Sequence, residues 1–169
     1  MRSNKEYSNV PFTKRVDYAG GAHRPPRAAR GAIACRDCGA VYVKRRWVLP
    51  TEPAAIAVAA LARPGRCPSC TIKARKQVRG YVYAEGAFAR VHRPEIEALL
   101  RQEAARAAVD NPLGQLIAWE RTPERLTVST TTEHLAQRLG EALHSAYHGK
   151  VRYKFSHGEP FARVTWRRD

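Results

Sequence analysis

The chain has 169 residues, of which 30 are Lys or Arg and 15 are Asp or Glu, giving a net charge of +15 and a pI near 10.3. An apolar fraction of 44% suits one or two small domains with buried cores and excludes a wholly disordered chain. The longest apolar run, AAIAVAALA, is nine residues, far short of the roughly 20 that a membrane-crossing helix needs.

Charge and order are unevenly spread. Residues 1–31 hold seven cations against two anions, residues 32–84 ten against two, and residues 85–169 thirteen against eleven. Three regions are expected on this basis: a disordered basic arm (1–31), a basic cysteine module (32–84) and an α+β domain (85–169). The arm is polar, lacks periodicity and ends in GGAHRPPRAARG. Such a segment either orders on a polyanion or acts as a solubilising tail. Its first thirty residues show no apolar core of a secretion signal, so a cytoplasmic protein is expected.

After the arm, AVYVKRRWV (40–48) is β-rich and predicts a strand ended by Pro50. The stretch 51–63 predicts a short helix with Thr51 as N-cap, Pro53 in the first turn and Pro64-Gly65 as the stop. CPSCTIKARKQVRG predicts a basic helix reaching towards Gly80, and YVYAEGAFA (81–89) a hairpin turning at Glu85-Gly86. An amphipathic helix is expected over 94–110, with Ile96, Leu99, Leu100 and Ala107 on one stripe. Strands at 115–121 and 125–131 follow. Thr130 and Glu133 then have capping-box spacing ahead of a helix whose apolar positions are Leu135, Leu139, Ala142, Leu143 and Ala146, with Gly149 as its stop. KVRYKFS and PFARVTW close the chain as strands flanking a turn at His157-Gly158-Glu159. The carboxyl-terminal order is thus α-β-β-α-β-β, expected as an antiparallel sheet with helices on one face.

The cysteines follow C-x2-C-x28-C-x2-C: Cys35, Cys38, Cys67 and Cys70. Two residues between thiolates let one turn present both to a single ion, and a second such turn completes a tetrahedron. Two close pairs without a secretion signal predict structural Zn2+ rather than disulfides. Four sulfurs also leave no coordination position for a catalytic water. With the second pair opening a helix, a treble-clef-like or zinc-ribbon-like module is expected. His144 and His148 with Glu141 form a much weaker metal candidate on one helix face.

Cations crowd the same module. Lys44, Arg45 and Arg46 lie beyond the first pair, Lys73, Arg75, Lys76 and Arg79 beyond the second, and Arg36 and Arg66 flank the cysteines. Phosphate chains bind such surfaces through charge and counterion release. Tyr42 and Trp47 are placed either to stack a base or to fill a small core. In the last two strands Arg152, Lys154, Arg163 and Arg167 alternate with apolar residues, predicting a basic face opposite an apolar one. No phosphate-cradling loop, nucleophile elbow or convergent acid pair is present, so no enzyme and no small-molecule substrate are expected.

CRDCG, CPSC, GYVYAEGAFARVHRPEI and LTVSTTTEHLAQRLGEALHSAYHGKV together resemble a bacterial family of small zinc-knuckle proteins. That family is itself similar to the amino-terminal half of the archaeal and eukaryotic adaptor that escorts the large ribosomal subunit (the Nmd-three type). The similarity covers about residues 32–157, and the adaptor's second half has no counterpart in this chain. The resemblance implies a metal-ligand role for the four cysteines and association with ribosomal RNA of the large subunit, with ribosomal proteins as further partners and no membrane. The expected function is a non-enzymatic, zinc-stabilised RNA-binding protein of the ribosome, acting in maturation, quality control or dormancy. A DNA-associated zinc-module regulator and a protein–protein adaptor are the alternatives.

Overall fold

The structure, a computed structural model, describes residues 5–7, 31–156 and 160–169. The expected turn at 157–159 and most of the expected arm lie outside the described residues. The elements run β1 (Lys5–Tyr7), β2 (Ile33–Cys35), β3 (Val41–Val43), β4 (Arg46–Val48), α1 (Pro53–Leu61), β5 (Arg63–Gly65) and α2 (Pro68–Ala74). They continue with β6 (Gly80–Glu85), α3 (Ala87–Val91), α4 (Arg93–Asp110), β7 (Leu116–Arg121), β8 (Arg125–Thr130), α5 (Glu133–Tyr147), β9 (Lys150–Phe155) and β10 (Ala162–Arg167).

Two sheets result, one of four strands in the order β4-β3-β2-β5 and one of six in the order β1-β9-β10-β6-β8-β7. The fold is α+β, but the sheets are mixed, not antiparallel throughout. β10 runs parallel to β6, β1 to β9 and β2 to β5. The β10–β6 pair arises because β6 is a sheet strand at the centre, flanked by β8 and β10, and it reaches β10 only through a long crossover.

The core lies between one face of the six-stranded sheet and the helices. Val82, Leu126, Val128, Val151, Tyr153, Val164 and Trp166 meet Ile96, Leu100, Leu135, Leu139 and Leu143. This is the period-2 pattern of strands facing the i, i+3, i+4 pattern of helices. α5 packs close to β10 because residue 140 is glycine: a Cβ there would stand 2.4 Å from Val164 Cγ1.

Local expectations change at five places. Residues 40–48 fold as a hairpin, not one strand, because Lys44 and Arg45 both take left-handed backbone (φ 47° and 66°) in a two-residue turn. α1 lies where expected, but its N-cap is Glu52, without a side-chain capping bond, and none of its residues is buried. α2 stops at Ala74, well before Gly80: Lys76 adopts φ 54° and Gln77 N–H reaches Ile72 O at 3.0 Å, closing a Schellman-type end. Residues 81–89 are not a hairpin. β6 runs straight to Glu85, and Gly86 at φ 103° turns the chain into α3. The cap of α5 is Thr132, whose Oγ1 accepts Leu135 N–H at 3.2 Å. Thr130 Oγ1 instead donates to Thr132 O at 2.8 Å, so the expected Thr130–Glu133 box does not form. Two smaller differences follow: Lys5–Tyr7, expected as arm, pairs as edge strand β1, and Ala146 is exposed.

Glu97 on α4 ties the helix layer to the outermost strand. Its carboxylate, 10% exposed, accepts from Arg121 Nε (2.7 Å) and Nη2 (2.8 Å) on β7 and from Arg101 Nη2 (2.9 Å). The Arg121 bonds hold its pKa below the ordinary 4.5 against the effect of burial. A folded pKa below the unfolded one adds stability that is complete above the unfolded value and fades as pH falls towards the folded one. Glu97→Gln is therefore expected to lower stability by about 1–2 kcal/mol at neutral pH, with the difference from the parent shrinking below pH 4.5 in denaturant titrations.

Candidate metal centre and basic surfaces

The first cysteine pair sits in a tight turn between β2 and β3. Cys35 N–H donates to Ala40 O (2.7 Å) and Gly39 N–H to Cys35 O (2.9 Å), with Gly39 at φ 74°. The second pair opens α2: Cys67 is the N-cap, Pro68 follows in the first turn, and Cys67 Sγ accepts Cys70 N–H at 3.3 Å. The β2–β5 pairing holds the turns together, with Arg36 N–H donating to Gly65 O at 3.0 Å.

The four Sγ atoms lie within 4.8 Å of one another, and Cys38 and Cys67 approach to 3.7 Å. Sulfurs about 2.3 Å from a shared ion in a tetrahedron stand about 3.8 Å apart, so the set fits one metal ion. Cys35, Cys67 and Cys70 are buried. Among the described residues this is the one group of three or more His, Cys, Asp or Glu able to hold an ion. Glu141, His144 and His148 do not form such a group; His144 Nδ1 instead lies 3.1 Å from Gly149 O, at the end of α5.

Burial dominates the thiols. It raises Cys67 strongly and pushes Cys70 up to about 12, while at Cys35 it is outweighed by backbone N–H groups, led by that of Cys67, which bring the thiol down to about 7. Buried thiolates at these distances need a cation to neutralise them. The Gln115 amide adds an outer contact, with Nε2 3.8 Å from Cys70 Sγ and 3.1 Å from Pro112 O. Ser69 Oγ donates to Leu113 O, which also accepts from Thr131 Oγ1 at 2.6 Å. The cysteine module is thus fastened to the larger sheet through 111–115. Sequence reasoning missed Gln115 and Ser69, which have no spacing signal; only proximity in the fold reveals them.

Trp47 is 7% exposed and packs with Cys35, Ala40, Cys67 and Cys70, so it fills the core of the module and does not present a ring to a base. Tyr42 packs against it at 5.4 Å between ring centres. Lys44, Arg45 and Arg46 are exposed at and beside the hairpin tip, about 10 Å along the strand from Val41. Arg36, Lys73, Arg75 and Lys76 are exposed and Arg79 is half-buried. The early end of α2 breaks up the expected helical stripe: Lys73 is helical, whereas Lys76 and Arg79 lie beyond the helix. Arg66 is held across the two cysteine turns by Asp37, at 2.5 Å. Arg152, Lys154, Arg163 and Arg167 are exposed on the sheet face away from the helices, as their alternation predicts, and Arg167 pairs with Asp169 at 3.0 Å.

Comparison of the chain with protein-family models, curated proteins and solved structures finds no match. No helix among the described residues is long and apolar enough to cross a membrane.

Cys67 and Cys70 carry protons near neutral pH, so filling the site displaces at least two. Metal affinity is expected to fall at least roughly 100-fold for each pH unit lost between 8 and 6, and more steeply once Cys35 also takes up a proton below about 7. Chelator competition across that range measures it. Cys67→Ser should abolish stoichiometric binding.

Proposed function

We propose that the chain is a non-enzymatic RNA-binding protein whose cysteine module is closed by structural zinc. We propose further that it acts in the cytoplasm on the ribosome, against large-subunit ribosomal RNA, in maturation, quality control or dormancy. Zinc is the ion best suited to a closed set of four thiolates. The β2–β3 turn followed by a helix-opening second pair is the order of a treble clef. The resemblance of the cysteine turns and of residues 126–151 to the ribosomal adaptor supplies the ribosomal part of the reading.

The observation that carries nucleic-acid binding is where the cations are held. Lys44, Arg45 and Lys76 are exposed in tight turns, at the tip of the β3–β4 hairpin and just past the end of α2. Arg163 and Lys154 stand directly opposite each other on β10 and β9, a destabilising like-charge pair. A polyanion neutralises these crowded charges, whereas solvent and salt only screen them.

A second reading, a protein–protein adaptor, is favoured by α1 alone, an apolar helix on which Ile56 is 53% and Leu61 90% exposed.

On sucrose gradients at low salt, the native protein is expected to sediment with ribosomal particles and to leave them as salt rises. A protein that stays at the top at low salt ends the ribosomal reading. Reversing Arg45, Arg46, Lys73 and Lys76 to Glu should weaken RNA binding and reduce the salt slope by about three to four units. Salt-insensitive capture of one protein from nuclease-treated lysate, lost on Leu61→Lys, would favour the adaptor instead.

A further inference from the structure

The sheet face turned away from the helices carries aromatic rings as well as charge. β6 alternates: Val82 and Ala84 enter the core, while Tyr81 and Tyr83 project to the other side, both partly exposed. Their rings lie 5.9 Å apart between centres and within 17° of parallel. Phe161, just before β10, meets Tyr81 at 5.9 Å, edge to face. Three aromatics therefore form one continuous group on the sheet.

The strands on either side of β6 differ sharply. Across β10 and β9, Arg163 and Lys154 fall in line with Tyr81, and Thr165 and Arg152 with Tyr83. Across β8, the aligned residues are Ser129 and Thr127, both small. On that side lies a groove of about 560 Å3, lined by Tyr81, Thr127 and Ser129, by Glu120 of β7, and by Lys73 and Lys76 from the end of α2 and just beyond it. Thr127 is only 5% exposed, and its Oγ1 has no hydrogen-bond partner among the described residues.

We infer that this face is a stacking platform for single-stranded RNA, with bases on the ring group of Tyr81, Tyr83 and Phe161. The inference rests on the RNA-binding reading above and specifies which RNA and where. Charge alone suits any polyanion, but exposed rings flanked by cations serve unstacked bases, because duplex bases already stack on one another. The basic rows lie on both sides of the rings, Arg163 and Lys154 on one and Lys73 and Lys76 on the other, so phosphates on either side of a stacked base find a cation. The small side chains of β8 leave depth for a base beside the tyrosines. Sequence reasoning missed the platform because 81–89 read as a hairpin gives no sign that β10 and β8 flank the tyrosines.

The test uses the full chain with its metal bound. Binding of a short labelled oligouridylate is measured by fluorescence anisotropy beside an RNA duplex of equal length. The single strand is expected to bind at least about tenfold more tightly, and Tyr81→Ala and Tyr83→Ala each to weaken it roughly fivefold or more. Tyr81→Phe and Tyr83→Phe should retain binding, since stacking needs the ring and not the hydroxyl. The salt slope should stay unchanged in all four, because no phosphate contact is removed. Ultraviolet cross-linking of the parent protein to the oligouridylate, mapped by mass spectrometry, should mark Tyr81, Tyr83 or Phe161, and this requires no variant to fold. Equal or tighter duplex binding, unchanged affinity in well-folded alanine variants, or cross-links confined to other surfaces overturns the platform while leaving RNA binding intact. A parent protein that binds neither RNA at low salt removes both readings.

Discussion

Four sulfurs held within 4.8 Å of one another, three of them buried, are the constraint on which the amino-terminal module depends. Around them the core is small: Ala40 and Trp47 are the other buried members, with Ile33, Tyr42, Leu49 and Leu113 partly covering them. Strands of three residues and a seven-residue helix cannot offset their own ordering entropy with so little apolar burial. An ion at the centre would replace the missing core, because its binding energy would be folding energy. That Leu113 belongs to this cluster shows where the module ends. It closes against the loop ahead of β7, and the bonds from Ser69 and Thr131 to the Leu113 carbonyl make the junction polar and specific.

Two surfaces with different physics then share one molecule. At the hairpin tip and past α2, cations occupy backbone positions that side chains avoid. On the six-stranded sheet, the cations are ordinary strand residues made unusual by their opposite neighbours and by the rings beside them. Arg163 lies 5.0 Å from the Phe161 ring centre and Arg125 5.0 Å from that of Tyr83. Such contacts fix guanidinium groups in place before any ligand arrives, which reduces the ordering cost of binding.

The cysteine cluster was legible because its signal is local: two residues between cysteines, twice. The α4 and α5 faces were legible from helical periodicity, with Ile96, Leu100, Leu135, Leu139 and Leu143 all buried. What escaped the sequence was decided by backbone conformation or by distant partners. A Lys-Arg pair is a poor advertisement for a two-residue turn that normally takes Asn-Gly, so the hairpin at 44–45 read as a straight strand. GYVYAE followed by glycine looked like strand and turn, and nothing local said that its partners were β8 and β10, some fifty and eighty residues away in sequence. Three threonines in a row left the cap ambiguous; Thr132 takes it because Thr130 and Thr131 are already bonded elsewhere.

Among the described residues β7 is an outermost strand, bonded to β8 alone. It begins one residue after Gln115, whose backbone is bonded to Thr131 and whose amide lies against Cys70. Its far end is gripped by Glu97 through Arg121. Oxidation of the cysteines would therefore not stay within the small module. It would loosen the near anchor of an edge strand, and behind that strand stands β8, the most thoroughly buried strand of the sheet. A bared edge of that kind is a template for pairing with other chains. The thiols thus help to hold the edge of a sheet to which they do not belong, and redox damage to them would bare that edge.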